Sequence, residues 1–499
     1  MNNLIAWDLG TGGLKASIID ENGGIRAETF KAYETTYPHD KWCEQKPLDW
    51  WEAVCISTGD LLAKTGIKGA DIAGAALSGH SLVTVPIDRE GNPIAESVPI
   101  WCDMRAGDAV EEFFRELPYD EWYLTTGNGD PPACYSIMKL MWMKKHQSDV
   151  YSRTKMLLGS KDFINYMLTG RMCTDPSYAS GFGVFNLKAW DYEERFFRAA
   201  GIKREIFPEI MASDAVAGTI TAAASRATGL PEGLPVASGG VDNMCMALGM
   251  TGLGEGRAYT SLGSSSWIAV NSPAPIVDVK TRPFVFAHAQ KGMYTSAVSI
   301  FSAGNSFRWA HDTFFKDISY NEMDALAEAV PAGSGGIIFN PTLAGGSAQE
   351  PSPNMHGVFT GLSLGTSRGQ LIRASLEGVA MALNATLEIL KTQTPLANTM
   401  LICGGGSKSA LWRQIFSDVY CMEIIKTNID QGAATLGAAA LAANAAGVWK
   451  GYDMISSFHK QESVERPDPE RVAKYQAIFP LFQKIAAFSA ELGDEMETL

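Results

Sequence analysis

The sequence has no Cys-x-x-Cys pair, and its eight cysteines (43, 55, 102, 134, 173, 245, 403 and 421) show no zinc-like spacing with histidine. That excludes a small zinc module and leaves free thiols in a reducing cytoplasm as the plain reading. No Gly-Lys-Ser/Thr occurs anywhere, so a P-loop is ruled out. Positive charge is in deficit: 41 basic against 55 acidic residues give a formal charge of −14, which argues against nucleic acid or an anionic membrane surface as main partner. A local basic site stays open. The N-terminus lacks a basic region followed by an apolar stretch and a cleavage site, so no secretory signal is expected. Low-complexity and heptad tracts are missing too. The longest weakly polar stretch, 432–449, is mostly alanine and glycine with Thr435 and Asn444 inside it, and fits a buried, close-packed helix better than a membrane span.

What is present points to two α/β halves. At 499 residues with 46% hydrophobic content, the chain suits two cores of about 250 residues each. Strand signals at 4–7, 15–19, 72–77 and 83–87 alternate with helical segments at 47–64 and 105–117. The segment 134–200 reads as broken helices, and Pro231 to Pro235 as punctuation near a domain junction, placed to give domains 1–244 and 245–499. Residues 471–492 read as an amphipathic closing helix.

The opening carries the densest chemistry. Asp8-Leu9-Gly10-Thr11-Gly12-Gly13-Leu14-Lys15 is a strand, a glycine turn and a second strand. A tight hairpin explains the glycines. It does not require the Asp, Thr and Lys, which suit a cation and phosphates. Leu262-Gly263-Ser264 repeats the design at the start of the second half, as a duplicated domain would. A third cluster, Cys403-Gly404-Gly405-Gly406-Ser407-Lys408-Ser409, runs from a strand toward a helix, where a flat base or ribose could lie against the backbone. Each cluster alone has a structural explanation; together they point to a nucleotide.

Gly239-Gly240-Val241-Asp242-Asn243 places an acid after a double glycine. Asp242 is read either as a helix cap or as a general base taking a hydroxyl proton, with Asn243 orienting substrate. Trp101-Cys102-Asp103-Met104-Arg105 is either a core Trp with a capping Asp–Arg pair or a polyol wall. His80 and Ser81 follow a buried strand at the end where such sheets hold ligands. Gly361-Leu362-Ser363-Leu364-Gly365 mimics a hydrolase nucleophile elbow, but the only later histidine is His459, in the tail-ward segment.

From residue 4 to about 450 these pieces resemble the FGGY carbohydrate kinases. Gly357-Val358-Phe359-Thr360-Gly361-Leu362, Gln370-Leu371 and Ala374-Ser375-Leu376-Glu377 match the family's C-terminal signature, and Ser136 to Met143 with Lys145-His146 resembles its N-terminal one, departing only at Cys134. The resemblance implies two ribonuclease-H-like domains of actin/hexokinase type with ATP, Mg²⁺ and sugar in the cleft. It assigns Asp8 to the metal site and Thr11, Gly12, Gly13 and Lys15 to the first phosphate loop. It assigns Gly263 and Ser264 to the second loop, Gly404, Gly405 and Ser409 to the adenosine segment, and Asp242 to the catalytic base. His80, Ser81, Trp101, Asp103 and Asn243 fall on the sugar side. The Trp-x-Asp-x-Arg motif and Trp42 with Glu44-Gln45-Lys46-Pro47 are most like the xylulokinase and pentulose branch. The chain departs from that branch where Ser-Gly-His-Ser-Leu-Val at 78–83 replaces Ser-Gly-Gln-Met-His-Gly; read without gaps, Leu82 takes the family histidine's place. The expected activity is ATP-dependent phosphorylation of a primary hydroxyl of a small sugar, a ketopentose such as xylulose. Ribulose, glycerol, erythritol or gluconate are the alternatives, and an actin-like ATP-dependent binding protein is the rival from another class. A cytoplasmic homodimer follows by family analogy.

Overall fold

A computed structural model describes every residue except Met1, Leu253 and Gln431. Two seven-stranded sheets organise the chain. The first runs Val216–Thr219, Pro235–Ala237, Ile72–Gly79, Asn3–Gly10, Gly13–Asp20, Ile25–Ala32, with Gly240–Val241 also pairing on Ile72–Gly79. The second runs Phe284–Ala287, Tyr294–Ile300, Ser266–Ser272, Ala258–Leu262, Thr399–Cys403, Glu423–Thr427, Gln461–Glu465.

The two share a plan. In each, a central strand (Asn3–Gly10 or Ala258–Leu262) makes an antiparallel hairpin on one side and a parallel pair on the other, with Ile72–Gly79 or Thr399–Cys403. Leu4, Ile5, Ala6, Trp7 and Leu9 are all fully buried, as a strand covered on both faces must be. The repeated design read from the glycine turns is therefore a repeat of whole sheets.

The helix Pro47–Thr65 begins with proline in its first turn and ends at Gly66 in the left-handed conformation. The alanine-rich stretch forms Ala433–Ala445, buried nearly all round and packed on the strands Asn3–Gly10 and Ile72–Gly79 of the first sheet. It crosses the helix Asp242–Thr251 at backbone distance: a Cβ on Gly437 would lie 1.9 Å from the Cys245 carbonyl oxygen, and one on Gly249 1.9 Å from that of Ala433. Small residues at both crossing points allow this approach, so sequence distant by about two hundred positions is fastened to the first sheet.

Two boundaries differ from expectation. The strand signal at 83–87 shortens to Val85–Ile87, because Leu82 takes a left-handed φ of 62° and turns the chain first. Pro231 to Pro235 is punctuation inside the first sheet, since Pro235–Ala237 and Gly240–Val241 both join it. The helix Asp242–Thr251 spans residue 244, and the second sheet begins at Ala258. The closing helix extends over Pro469–Met496. No helix among the described residues is long and apolar enough to cross a membrane.

Candidate functional site

Register places the acids. Asp8 pairs with Lys15 across the first hairpin and with Ser78 across the parallel pair; Ser78 in turn pairs with Gly240, two residues before Asp242. Asp8 and Asp242 thus emerge from neighbouring strand ends, both half-buried. Ser78 Oγ donates to Asp8 Oδ1 at 2.6 Å. Burial raises the Asp8 carboxyl, opposed by that hydrogen bond and by the Lys15 charge. The Asp242 carboxyl is pushed up to about 7, first by burial and then by the negative charge of Asp8. One Asp242 oxygen accepts the Asn243 N–H at 2.8 Å.

The Asp242 loop is held from behind. Gly239 has a φ of 79°, and a Cβ there would stand 2.3 Å from the Leu77 carbonyl oxygen, so only glycine lets this loop cross the strand Ile72–Gly79. Ser238 O accepts from Lys161 Nζ at 3.0 Å and from Asn165 Nδ2 at 2.8 Å. Lys161, fully buried, also meets Asp162 at 2.6 Å and Asp175 at 3.0 Å. Asp175 accepts from Ser177 Oγ and Ser213 Oγ, and Ser177 Oγ accepts the Val241 N–H at 3.0 Å. A chain of buried polar contacts therefore ends on the residue before Asp242. Asp162 and Asp175 lie in the segment 134–200, which reads from sequence only as broken helices.

The first hairpin is gripped on three sides. Gln45 Nε2 donates to Thr11 O at 2.7 Å, Trp101 Nε1 donates to Thr11 Oγ1 at 2.8 Å, and the Tyr33 hydroxyl donates to Gly10 O. Gly12 stays exposed at the tip and Gly13 is buried behind it. In the second hairpin Gly263 O accepts the Gly304 N–H and Ser264 O accepts those of Ala303 and Asn305, which seats the turn on the helix Gly304–Phe314 and leaves Ser264 exposed. At the third corner the Gly404 N–H donates to Asp430 Oδ1 at 2.5 Å, and Gly405 faces open space. A cavity of about 480 Å³ is lined by Lys15 and Glu28 on one side and by Lys408, Asp430 and Gly432 on the other, so the first-hairpin lysine and the third corner share it.

Three of the expected sugar and adenosine residues already have partners within the chain. Asp103 has no exposed surface; it accepts the Cys43 N–H at 2.7 Å and two hydrogen bonds from the Arg105 guanidinium. Arg105 also pairs with Glu44 and lies 3.6 Å from the Trp42 ring centroid. His80 is only 1% exposed: its N–H and Nδ1 both sit 2.9 Å from Leu9 O, and its ring meets Trp50 edge-on. Burial holds its pKa down at about 4, hence a neutral ring. Ser409 Oγ accepts the Trp412 N–H and caps the helix Ala410–Tyr420. Trp101, by contrast, is 44% exposed, and Ser81 and Asn243 are half-buried.

Beneath the wall, fully buried Lys139 donates to Leu82 O at 2.9 Å and to Ile100 O at 2.6 Å, tying the 79–83 and 100–105 loops together. Leu82 in the left-handed region is a strained non-glycine position beside the site.

Against known proteins, residues 3–249 match the N-terminal domain and residues 258–446 the C-terminal domain of the FGGY family of carbohydrate kinases. This chain belongs to that family. It is a carbohydrate kinase, and Ser363 is therefore part of a family signature and not a hydrolase elbow. It is 26% identical over 502 residues to the xylulose kinase of Bacillus subtilis (strain 168), covering 100% of this chain and 99% of that one. Among solved structures, the ligand-bound xylulose kinase from Lactobacillus acidophilus matches with a TM-score of 0.92 at 26% identity, over 99% and 100% of the two chains. The gluconate kinase from the same organism matches with the same score and identity, over 99% of each chain. The carbohydrate kinase shares their actin/hexokinase-type fold, as the paired sheets require, and as a member of the family it uses ATP.

Proposed function

We propose that this kinase transfers the γ-phosphoryl group of ATP to a primary hydroxyl of a ketopentose such as xylulose, with Asp242 as general base. The observation that carries this reading is the register that brings Asp242 and Asp8 to the same end of the strand Ile72–Gly79, where burial pushes the Asp242 carboxyl up to about 7. A base tuned to that range accepts a hydroxyl proton near neutral pH and returns it afterwards. Asp242 removes the proton as the hydroxyl oxygen attacks phosphorus, and Lys15 with the backbone of Thr11, Gly12 and Gly13 offsets charge on the transferring group from one side. Gly263 and Ser264 do so from the other. Gly404 and Gly405 present backbone to the adenosine.

Asp8, with Asp242 nearby, is an all-oxygen donor set that fits Mg²⁺ held by one or two carboxylates and by phosphates. When bound, Mg²⁺ would neutralise phosphate charge there. Trp101 supplies an apolar face for sugar C–H groups, with Ser81 and Asn243 beside it.

The separate sheets support a division into an N-terminal domain, 1–244, carrying the sugar side and first loop, and a C-terminal domain, 245–499, carrying the second loop and adenosine segment. A cytoplasmic setting is supported by eight cysteines that are all unpaired. The charge of −14 speaks against nucleic acid as partner, and a homodimer rests on family analogy.

An aldonate such as gluconate is the second reading, favoured by Leu82 in the place of the branch's histidine and by the equal match to a gluconate kinase. ADP release measured over ketopentoses, polyols and aldonates decides between them. Xylulose giving the highest kcat/KM supports the first, gluconate the second, and a flat response to all would place the substrate outside both classes.

A further inference from the structure

Cys43 and Cys102 lie 59 positions apart in sequence, yet their Sγ atoms stand 2.7 Å from each other. A disulfide bond is roughly 0.7 Å shorter than that. The flanking backbone is already clamped. Glu44 pairs with Pro99 and Gln45 with Val98, the Ile100 N–H donates to Cys43 O at 3.0 Å, and the Met104 N–H donates to Lys41 O at 2.8 Å. Asp103, next to Cys102, accepts the Cys43 N–H. Nothing in the phosphoryl transfer uses either thiol.

The pair is asymmetric. Cys43 is buried and Cys102 is half-exposed. The hydrogen bond from Cys43 holds the Cys102 thiol below its ordinary range, with the buried Lys139 ammonium adding to the effect, while Cys43 is raised. An accessible thiolate-forming cysteine beside a buried partner is the arrangement of an attacking and a resolving thiol.

We propose that Cys43 and Cys102 are a modification site for peroxide, closing a reversible disulfide that shifts the Trp101 wall. The Cys102 thiolate attacks one peroxide oxygen, forming a sulfenic acid and releasing hydroxide. Cys43 Sγ then attacks the Cys102 sulfur, and the sulfenic hydroxyl leaves with the Cys43 proton as water. Two thiols and one peroxide give one disulfide and two waters, the thiols losing the two electrons that the peroxide gains. Closing the bond draws residue 102 toward residue 43. Trp101, its neighbour, reaches Thr11 through the 2.8 Å indole hydrogen bond, so the displacement falls between the wall and the first hairpin.

The effect on activity rests on the reading of Trp101 as the sugar wall; the thiol chemistry does not. The reduced full chain is treated with hydrogen peroxide, its remaining thiols are blocked, and peptides are mapped by mass spectrometry alongside thiol titration. The expected result is a 43–102 linked peptide and loss of two of the eight titratable thiols. Sugar phosphorylation should fall by about ten- to a hundredfold, the scale of a displaced substrate contact, with both effects reversed by dithiothreitol. C102S should resist peroxide, whereas C43S should form a sulfenic acid at Cys102 and no 43–102 link. Absence of the linked peptide, a link that leaves sugar phosphorylation unchanged, or C102S inactivated as fast as the native chain would each overturn the proposal. A chain with no activity on any sugar counts against the proposed substrate class instead, since the peptide map reads the disulfide separately.

Discussion

Asp242 shares the end of the strand Ile72–Gly79 with Asp8, where burial, and after it the negative charge of Asp8, pushes the Asp242 carboxyl up to about 7. The two groups arrive from opposite ends of a 235-residue segment, and one serine, Ser78, holds Asp8 in place between them.

Asp242→Asn keeps the shape and removes the proposed base. Sugar phosphorylation should drop by roughly 10²–10⁴-fold while ATP affinity stays close to native, measured by calorimetry beside turnover. Near-native turnover would exclude Asp242 as the base.

The same carboxyl sets a pH profile. On the proposed role the ionised form is the base, so kcat/KM should rise with pH, and in metal-free titrations of the carboxyl itself Asp8→Asn should move the Asp242 midpoint to lower pH by removing the repelling charge. A midpoint unmoved by Asp8→Asn would separate the two acids. Stability runs the opposite way: the folded chain holds the Asp242 proton more tightly than the unfolded chain, whose value is near 3.8, so this group makes unfolding easier as pH climbs from about 4 to 7. Denaturant titrations of Asp242→Asn should lack that part of the slope.

Lys161→Met leaves Asp162 and Asp175 buried without their cation and frees Ser238 O from one donor. Breaking a buried pair from one side costs on the order of 3–5 kcal/mol, read as a lowered denaturation midpoint. Ser177→Ala is the gentler probe: it removes the acceptor of the Val241 N–H, and kcat should fall more than the sugar KM changes.

Gly437→Ala should destabilise by about 1–3 kcal/mol despite alanine's better helix propensity, because the added Cβ meets a backbone carbonyl at 1.9 Å. A thermal midpoint at or above native would contradict the close crossing of the two helices.

Trp101→Ala should raise the sugar KM several-fold and leave the ATP KM near native, in initial-rate measurements. Equal changes in both would place Trp101 with the first hairpin alone, through its contact with Thr11.

Hairpins, glycine corners and the alanine-rich helix were legible because their signals are local. Alternation of apolar residues, turn glycines and helix formers act within a few positions, and the strands around Gly10–Gly13 and Gly263 follow those rules directly. The repeat of Leu9-Gly10-Thr11 in Leu262-Gly263-Ser264 marked two like sheets for the same reason. What neighbours in the chain could not disclose was which polar groups are already satisfied. Asp103 and His80 carry side chains suited to a sugar, and only the fold shows that Asp103 also meets Arg105 and the Cys43 amide and that His80 also meets the Leu9 carbonyl. Lys161 and Asp175 sit in stretches without any distinctive spacing, and their bearing on Asp242 exists only once Ser238, Ser177 and Val241 converge on them. Residue type and order were enough to mark the doubled architecture and to single out the acids and loops as candidates. Burial and partnership depend on contacts between remote strands, and only the tertiary structure decided which of those groups already hold the chain together.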